Sequence, residues 1–475
     1  MQLLKKSSAL AIVLTFAFAS CGKIEVNESV AQPDTEFELI GVIRTKTLSQ
    51  THNDLTVGCE VLDRDYTDYH KYKDYLEELG IHKIRLQAGW AKTEKEKGVY
   101  DFAWLDSIID DAVARGLQPW LETSYGNPIY EGGGTKYLAG GWPVSDEALA
   151  AWDNWVRAMA ERYKGKVREW EIWNEPDLNA MFYQDRKPLV DLQIRTAEII
   201  KSVDPDARIA AFAWCGWHPD EFTECLSLLK ERGKLDLFEW ISYHFYHYRP
   251  EDMYSQVADM QDSLDKFTSG IVLRQGESGA PSAGHMGGAL SEYDWSEISQ
   301  GKWALRRMIS DHGKGIPTTI FCICDMNYTK DKDSIKKKNL KGLLETDADN
   351  NIVRKKESFY AVQNLVALWE LMDECVPATG IRLETEESHS IYEFKDRKGG
   401  KSFAVWMDSR TPDDNVVMNA VNVGVEGFRH PVCVDIRSGN VYKAEIETID
   451  GVTRLKIPMY DSPVFVVEKE SINLK

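Results

Sequence analysis

One pattern constrains the chain more than any other. From about residue 54, a short apolar run is followed by a longer amphipathic segment, and the pair recurs eight times. The apolar runs are "DLTVGCEV" (54–61), "HKIRLQAGW" (82–90), "LQPWLETSY" (117–125), "KVREWEIWN" (166–174), "ARIAAFAW" (207–214), "LFEWISYHFY" (237–246), "GIVLRQGES" (270–278) and "IPTTIFCICDM" (316–326). Segments with helical periodicity follow each, such as "SDEALAAWDNWVRAMAERYKG" after the third. Several end in glycine, the residue that favours the left-handed turn after a helix: Gly80, Gly116, Gly165, Gly233 and Gly313. Strands alternating with helices predict a parallel sheet, and eight units predict an α/β fold closed as a (β/α)8 TIM barrel over 52–375. A doubly wound open sheet is the alternative, but no glycine-rich fingerprint follows the first strand.

After residue 378 the period drops to two between turn signals such as "RKGGK" and "RSGN". This predicts a small antiparallel β-sandwich over 378–475. A strand-like stretch at 38–51 is expected to join it. Upstream, "MQLLKKSSALAIVLTFAFASC" has two lysines, an apolar run too short to span a bilayer, and small residues before Cys21. Residues 1–20 read as a lipoprotein signal peptide, with an ordinary secretory signal as the alternative. Residues 21–37 read as a polar tether, and a lipid on Cys21 would hold the protein to a bacterial cell envelope.

The chain carries 57 basic and 76 acidic residues, a net charge of −19. That argues against nucleic acid as a partner. Seven scattered cysteines besides Cys21 are no disulfide framework, and Cys322 and Cys324 fall in an apolar strand rather than a metal knuckle. No metal and no cofactor is expected. Fifteen tryptophans and twenty tyrosines are compatible with sugar-ring stacking.

In a parallel barrel, functional residues gather at the C-terminal ends of strands. Those ends hold Arg85 to Trp90, Tyr125 to Asn127, Asn174 with Glu175, Trp214, His244 with Tyr246, Glu277, and Asp325 to Asn327. Among the carboxylates there, Glu175 after the fourth strand and Glu277 after the seventh lie on opposite sides of the mouth. Glycosidic cleavage needs such a pair, one protonated to assist the departing oxygen and one ionised. Glu171 shares the inward parity of Glu175 but lies deeper, so it needs a buried partner, for which Arg85 is the candidate. Glu169 reads as solvent-side and Asp177 as a turn residue.

"WNEP" (173–176), "RQGESG" (274–279), "YHFY" (243–246) and "IRLQAGW" (84–90) resemble the strand-4 acid/base, strand-7 nucleophile, strand-6 and strand-2 segments of clan A retaining glycoside hydrolases. The layout resembles family 39, which includes β-xylosidases and α-L-iduronidases. The resemblance implies Glu175 as acid/base and Glu277 as nucleophile. It also implies sugar contacts from Asn174 and His244, and support of Glu277 by Tyr246 and Arg85. Trp90, Asn127 and Asp325 complete the expected substrate-binding set. Clan members often carry a stacking tryptophan after strand 8, but here the sequence is "FCICDMNY"; Tyr328, Trp90, Trp142 or Trp217 would have to substitute. The expected activity is hydrolysis of oligo- or polysaccharides by double displacement, as by a β-xylosidase. A carbohydrate-binding lipoprotein without activity, and a transglycosylase, are the alternatives.

Overall fold

The computed structural model describes residues 24–286, 288–328, 337–449 and 452–475. The leader and Cys21 lie outside the described residues.

Eight parallel strands form the centre: β1 (Thr56–Gly58), β2 (Lys83–Gln87), β3 (Gln118–Thr123), β4 (Glu169–Ile172), β5 (Arg208–Trp214), β6 (Trp240–Tyr243), β7 (Val272–Gln275) and β8 (Thr319–Ile320). Their order is β7-β6-β5-β4-β3-β2-β1-β8, and a bridge from Ser278 to Ile320 brings the two edges together into a nearly closed barrel. Register explains the layering inside it. Trp120 pairs with Glu169, and Glu122 with Glu171, so side chains two residues apart fall on successive inward levels.

The outer helices follow from amphipathic spacing. Asp146–Tyr163 buries Ala148, Ala151, Trp152, Trp155, Val156 and Met159, three to four residues apart. Ser145 caps its start by accepting from the Ala148 amide. Trp152 donates to Thr196 of the neighbouring helix Lys187–Val203, 2.9 Å away, so even this deep indole N–H is satisfied.

The eighth unit departs from expectation. The apolar run 316–326 contains only a two-residue strand, and two hairpins follow, Met326–Tyr328 with Lys337–Asn339 and Leu344–Thr346 with Ile352–Lys355. The returning chain crosses so tightly at Gly342 that a Cβ there would lie 2.0 Å from the Asp325 amide nitrogen. The eighth helix, expected on "KESFYAVQNLVALWEL", runs from Glu357 to Leu368 as the sequence predicts.

The C-terminal region holds two antiparallel sheets. The larger has seven strands in the order Leu39–Val42, Asn440–Lys443, Pro431–Asp435, Val464–Glu468, Lys401–Met407, His389–Lys395 and Glu374–Val376. Phe403, Val405, Cys433 and Val466 on one of its faces pack against Val421, Val423, Leu455 and Ile457 of the smaller sheet. On its other face, Ala404, Trp406, Val434 and Phe465 merge with the barrel's own core. Buried ions reinforce that seam: Lys302 pairs with Asp461 at 2.5 Å, and Arg306 with Glu251 at 2.5 Å, where Trp406 also donates.

The expected polar tether is corrected over its described part. Val30 is buried, the Ala31 amide donates to Glu357 at 3.1 Å, and Arg437 donates to the Ala31 carbonyl at 2.7 Å. Low apolar content does not imply detachment when the backbone groups themselves find charged partners.

Candidate active site

The mouth of the barrel assembles residues from six strands. Glu175 leaves the end of β4 in the left-handed region, at φ 48°, one residue before the turn Pro176–Leu178. A non-glycine residue there is strained, and the Glu175 amide is tied to the Ala213 carbonyl at 3.1 Å. Glu277 follows β7 past Gly276. A Cβ at Gly276 would stand 2.2 Å from Ser242 Oγ and 2.9 Å from His244 Nε2, so only glycine lets the two strand ends approach.

His244 connects the two acids. Its Nδ1 is 3.1 Å from Glu175 Oε1 and 3.7 Å from Glu277 Oε2. Its Nε2 faces an Arg85 Nη2 at 3.5 Å, and a guanidinium can only donate, which places the imidazole proton on Nδ1, donating toward Glu175. The Tyr246 hydroxyl donates to Glu277 Oε1 at 2.7 Å, and Arg85 Nη1 to Oε2 at 3.2 Å. Arg85 also donates to Asn174 Oδ1 at 2.8 Å, leaving the Asn174 amide to donate to the Tyr125 hydroxyl at 2.9 Å.

These surroundings push the two carboxyls apart. Both are 8% exposed. Burial raises Glu175, and the nearby charge of Glu277 raises it further against the opposing bond from His244. Burial acts on Glu277 as well, but His244, Arg85 and the Tyr246 hydroxyl outweigh it and hold Glu277 below its ordinary value. The arrangement can therefore offer one acid and one base side by side.

Arg85 lies at the bottom of this site, fully buried, against four carboxyls. Its Nε meets Glu171 at 2.6 Å, Nη1 meets Glu60 at 2.6 Å as well as Glu277, and Nη2 meets Glu122. The pairing of Glu171 with Arg85 matches the sequence reading. Glu60 and Glu122 do not figure in that reading, although Glu122 has the inward parity of its register partner Glu171.

Three expected substrate-binding residues stand elsewhere. Trp90 is sealed in an aromatic cluster with Tyr130, Trp152 and Trp155, its indole N–H donating to Glu94. Asn127 is buried in its loop, donating to the Glu94 carbonyl at 2.8 Å and accepting from the Ile129 amide. Asp325 is buried under the eighth-strand hairpins, paired with Lys356 at 2.6 Å. In each case the loop after the strand turns the side chain into packing, which strand position alone does not reveal. Glu169 is corrected too: it lies inside the barrel between Lys83 at 2.8 Å and Arg274 at 2.5 Å. Asp177 accepts from the amides of Cys215 and Gly216, fixing the loop after β5.

Of the aromatic substitutes, Trp142 is buried against Trp173, and Trp217 packs on Phe222. Tyr328 stays half-buried, its ring 5.2 Å from that of Tyr66. A residue without any sequence signal also arrives here. Lys341 is 3% exposed, donates to the Ala289 carbonyl at 2.5 Å and sits 5.6 Å from the Tyr246 ring centre; burial lowers it to about 8.

One carboxylate oxygen each from Glu175 and Glu277 and a ring nitrogen of His244 fall within 4.8 Å of one another, but the Nδ1 proton of His244 points into that space and leaves no ring lone pair there for a cation. Arg85 already supplies positive charge to the Glu277 side of that set.

Residues 44–274 match the sequence profile of Glycosyl hydrolases family 39, a segment that contains Glu175 and stops three residues short of Glu277. A β-xylosidase of Geobacillus stearothermophilus is 28% identical over 198 residues, 38% of this chain and 39% of that protein. A β-xylosidase of Caldicellulosiruptor saccharolyticus is 28% identical over 223 residues, 43% of this chain and 44% of that one. The alignments thus span about two fifths of those relatives. A family 39 glycoside hydrolase from the gut symbiont Bacteroides cellulosilyticus WH2 shares the fold at a TM-score of 0.65 and 16% identity, over 90% of this chain and 83% of that one. A monomeric β-xylosidase from Caulobacter crescentus CB15 does so at 0.57 and 16%, over 90% and 97%. With its barrel, its paired acids and its matched segment, the chain resembles glycoside hydrolase family 39 over residues 44–274.

Proposed function

We propose that the protein is a retaining glycoside hydrolase that cleaves β-xylosides or closely related β-glycosides of oligo- or polysaccharides. The observation that carries this reading is the pair of buried carboxyls with opposite proton preferences, whose donor atoms approach within 4.8 Å. Retaining enzymes separate the two groups by about 5–5.5 Å, whereas inverting ones leave about 6.5–9.5 Å for a water.

In the first step Glu277 attacks the anomeric carbon while Glu175 gives its proton to the departing oxygen. In the second, Glu175, now ionised, takes a proton from water as that water displaces Glu277. Asn174, held by Arg85 and Tyr125, presents its amide beside the sugar, and Tyr328 offers a ring at the rim. The β-xyloside assignment follows the names of the two curated relatives.

The test is hydrolysis of an aryl β-xyloside, with NMR of the first-formed anomer. Retention in the wild type and loss of turnover in Glu277→Gln are expected. Inversion, or turnover that survives Glu277→Gln, would overturn the mechanism; cleavage of other aryl glycosides alone would overturn the xyloside.

We further propose that Cys21 carries a lipid that anchors the protein to a bacterial outer membrane or cell surface, on the strength of the leader sequence. Wild type should partition into detergent and incorporate labelled fatty acid. Cys21→Ala should do neither, and an unlabelled wild type would refute the anchor.

A further inference from the structure

One guanidinium faces four carboxyls in a site where none of the five groups is more than 8% exposed. Four anions against one cation would leave a large uncompensated charge in a low-dielectric interior, and proteins resolve such crowding by protonating some of the acids. Position decides which. Glu60 and Glu277 share Nη1 of Arg85, at 2.6 and 3.2 Å, which brings the two carboxyls side by side on one nitrogen. Two carboxyls can bond to each other only through a proton on one of them.

Their other neighbours differ. Glu277 receives the Tyr246 hydroxyl at 2.7 Å and faces His244. Glu60 stands beside an apolar wall: the space a Cβ on Gly58 would fill is 3.0 Å from Glu60 Oε1, 3.3 Å from the Phe321 ring and 3.5 Å from Cys322 Cβ. The ionised form is better served at Glu277, the neutral form at Glu60.

We propose that Glu60 is a positioning residue which remains a neutral carboxylic acid and donates its proton to Glu277, fixing the nucleophile's rotamer and keeping it ionised. Arg85 can then act on Glu277 without a competing anion on the same nitrogen. Burial, followed by the charges of Glu277 and Glu122, holds Glu60 well above the ordinary carboxylate range, in accord with this geometry. The inference rests on the reading of Glu277 as nucleophile, but its charge assignment can be measured without turnover.

The experiment is a titration of glutamate side-chain carbons by 13C NMR in the full chain. The Glu277 signal is assigned through Glu277→Gln and the Glu60 signal through Glu60→Gln. Glu60 should still read as protonated at neutral pH, where Glu277 reads as ionised. Glu60→Gln keeps a neutral donor and should leave the Glu277 midpoint in place; Glu60→Ala should raise it by about one unit, a tenfold change in its ionisation. Should Glu60→Ala not fold, Glu60→Asp, a methylene too short to reach, should raise it likewise. The acidic limb of kcat/KM should move with the Glu277 midpoint. A Glu277 midpoint that falls in Glu60→Gln would show Glu60 to be an anion and sink the proposal, as would a midpoint unmoved by Glu60→Ala or Glu60→Asp. If the titrations come out as expected while turnover survives Glu277→Gln, the functional reading fails and the charge assignment stands.

Discussion

Two arginines occupy the inside of the barrel at successive levels, and their company is opposite. Arg274 lies lower, its guanidinium 3.7 Å from the Trp120 ring centre and 4.8 Å from that of Trp240. It shares a single acid, Glu169, with Lys83, so cations outnumber anions. Arg85 lies above, where acids outnumber it four to one. The surplus of cations overcomes burial and draws Glu169 down to about 2. The surplus of acids has the reverse effect, and burial keeps Glu60 and Glu122 well above the ordinary range. A level in which every acid is paired locks the strands together. A level with too many acids stores protons, and it sits next to the substrate-facing pair.

Removing each arginine should separate these roles. Arg85→Met leaves four carboxyls without their cation and should lower stability by about 3–5 kcal/mol. It should also abolish most turnover, because Glu277 and Asn174 both lose their donor; urea unfolding and kcat would register the two losses. Glu169→Gln strands Lys83 and Arg274 and should cost on the order of 3 kcal/mol at neutral pH, the value of a shift from 4.5 to about 2. The sign follows from a depressed folded value. The contribution is complete above about pH 4.5 and disappears as the pH falls through 2, so wild type and variant should converge across that window in acid unfolding. Arg274→Met, in which Lys83 still serves Glu169, should cost less, about 1–3 kcal/mol, with kcat unchanged. If Arg274→Met impaired kcat as severely as Arg85→Met, the division between levels would be wrong.

The smallest effect sharpens the comparison by sign. Glu122 has a raised folded value, so its contribution is present at low pH and is lost as the pH rises through that value. Glu122→Gln should therefore gain stability relative to wild type on the alkaline side, opposite to Glu169→Gln. Thermal unfolding across a pH series would detect it.

The barrel was legible in the sequence because it repeats. Eight recurrences of one pattern survive several errors of boundary, and strand ends then located Glu175, Glu277, His244, Tyr246, Asn174 and Arg85 together. Legibility failed where the chain leaves the repeat. Trp90 begins a short helix of four residues that rotates its ring inward, and Asp325 is covered by hairpins that, among the described residues, have no counterpart in the other seven units. Lys341 reaches the site from one of those insertions, so no periodicity could have placed it. Glu60 and Glu122 were visible as letters, but their meaning depends on how many acids share one guanidinium, and that count exists only in three dimensions.

The seam between the barrel and the large antiparallel sheet has a consequence for any attempt to trim the protein. Lys302, Arg306 and Arg437 come to it from both sides with partners across it: Asp461 for Lys302, the Asp408 and Arg410 carbonyls for Arg306, and Glu357 for Arg437. A barrel cut free after residue 375 would expose an apolar face on which Lys302 has lost Asp461, Glu357 has lost Arg437, and Arg306 keeps Glu251 but loses its two carbonyl acceptors. The smallest fragment worth expressing is therefore one that keeps the sheets, and a library of shortened versions should show solubility and activity vanishing together.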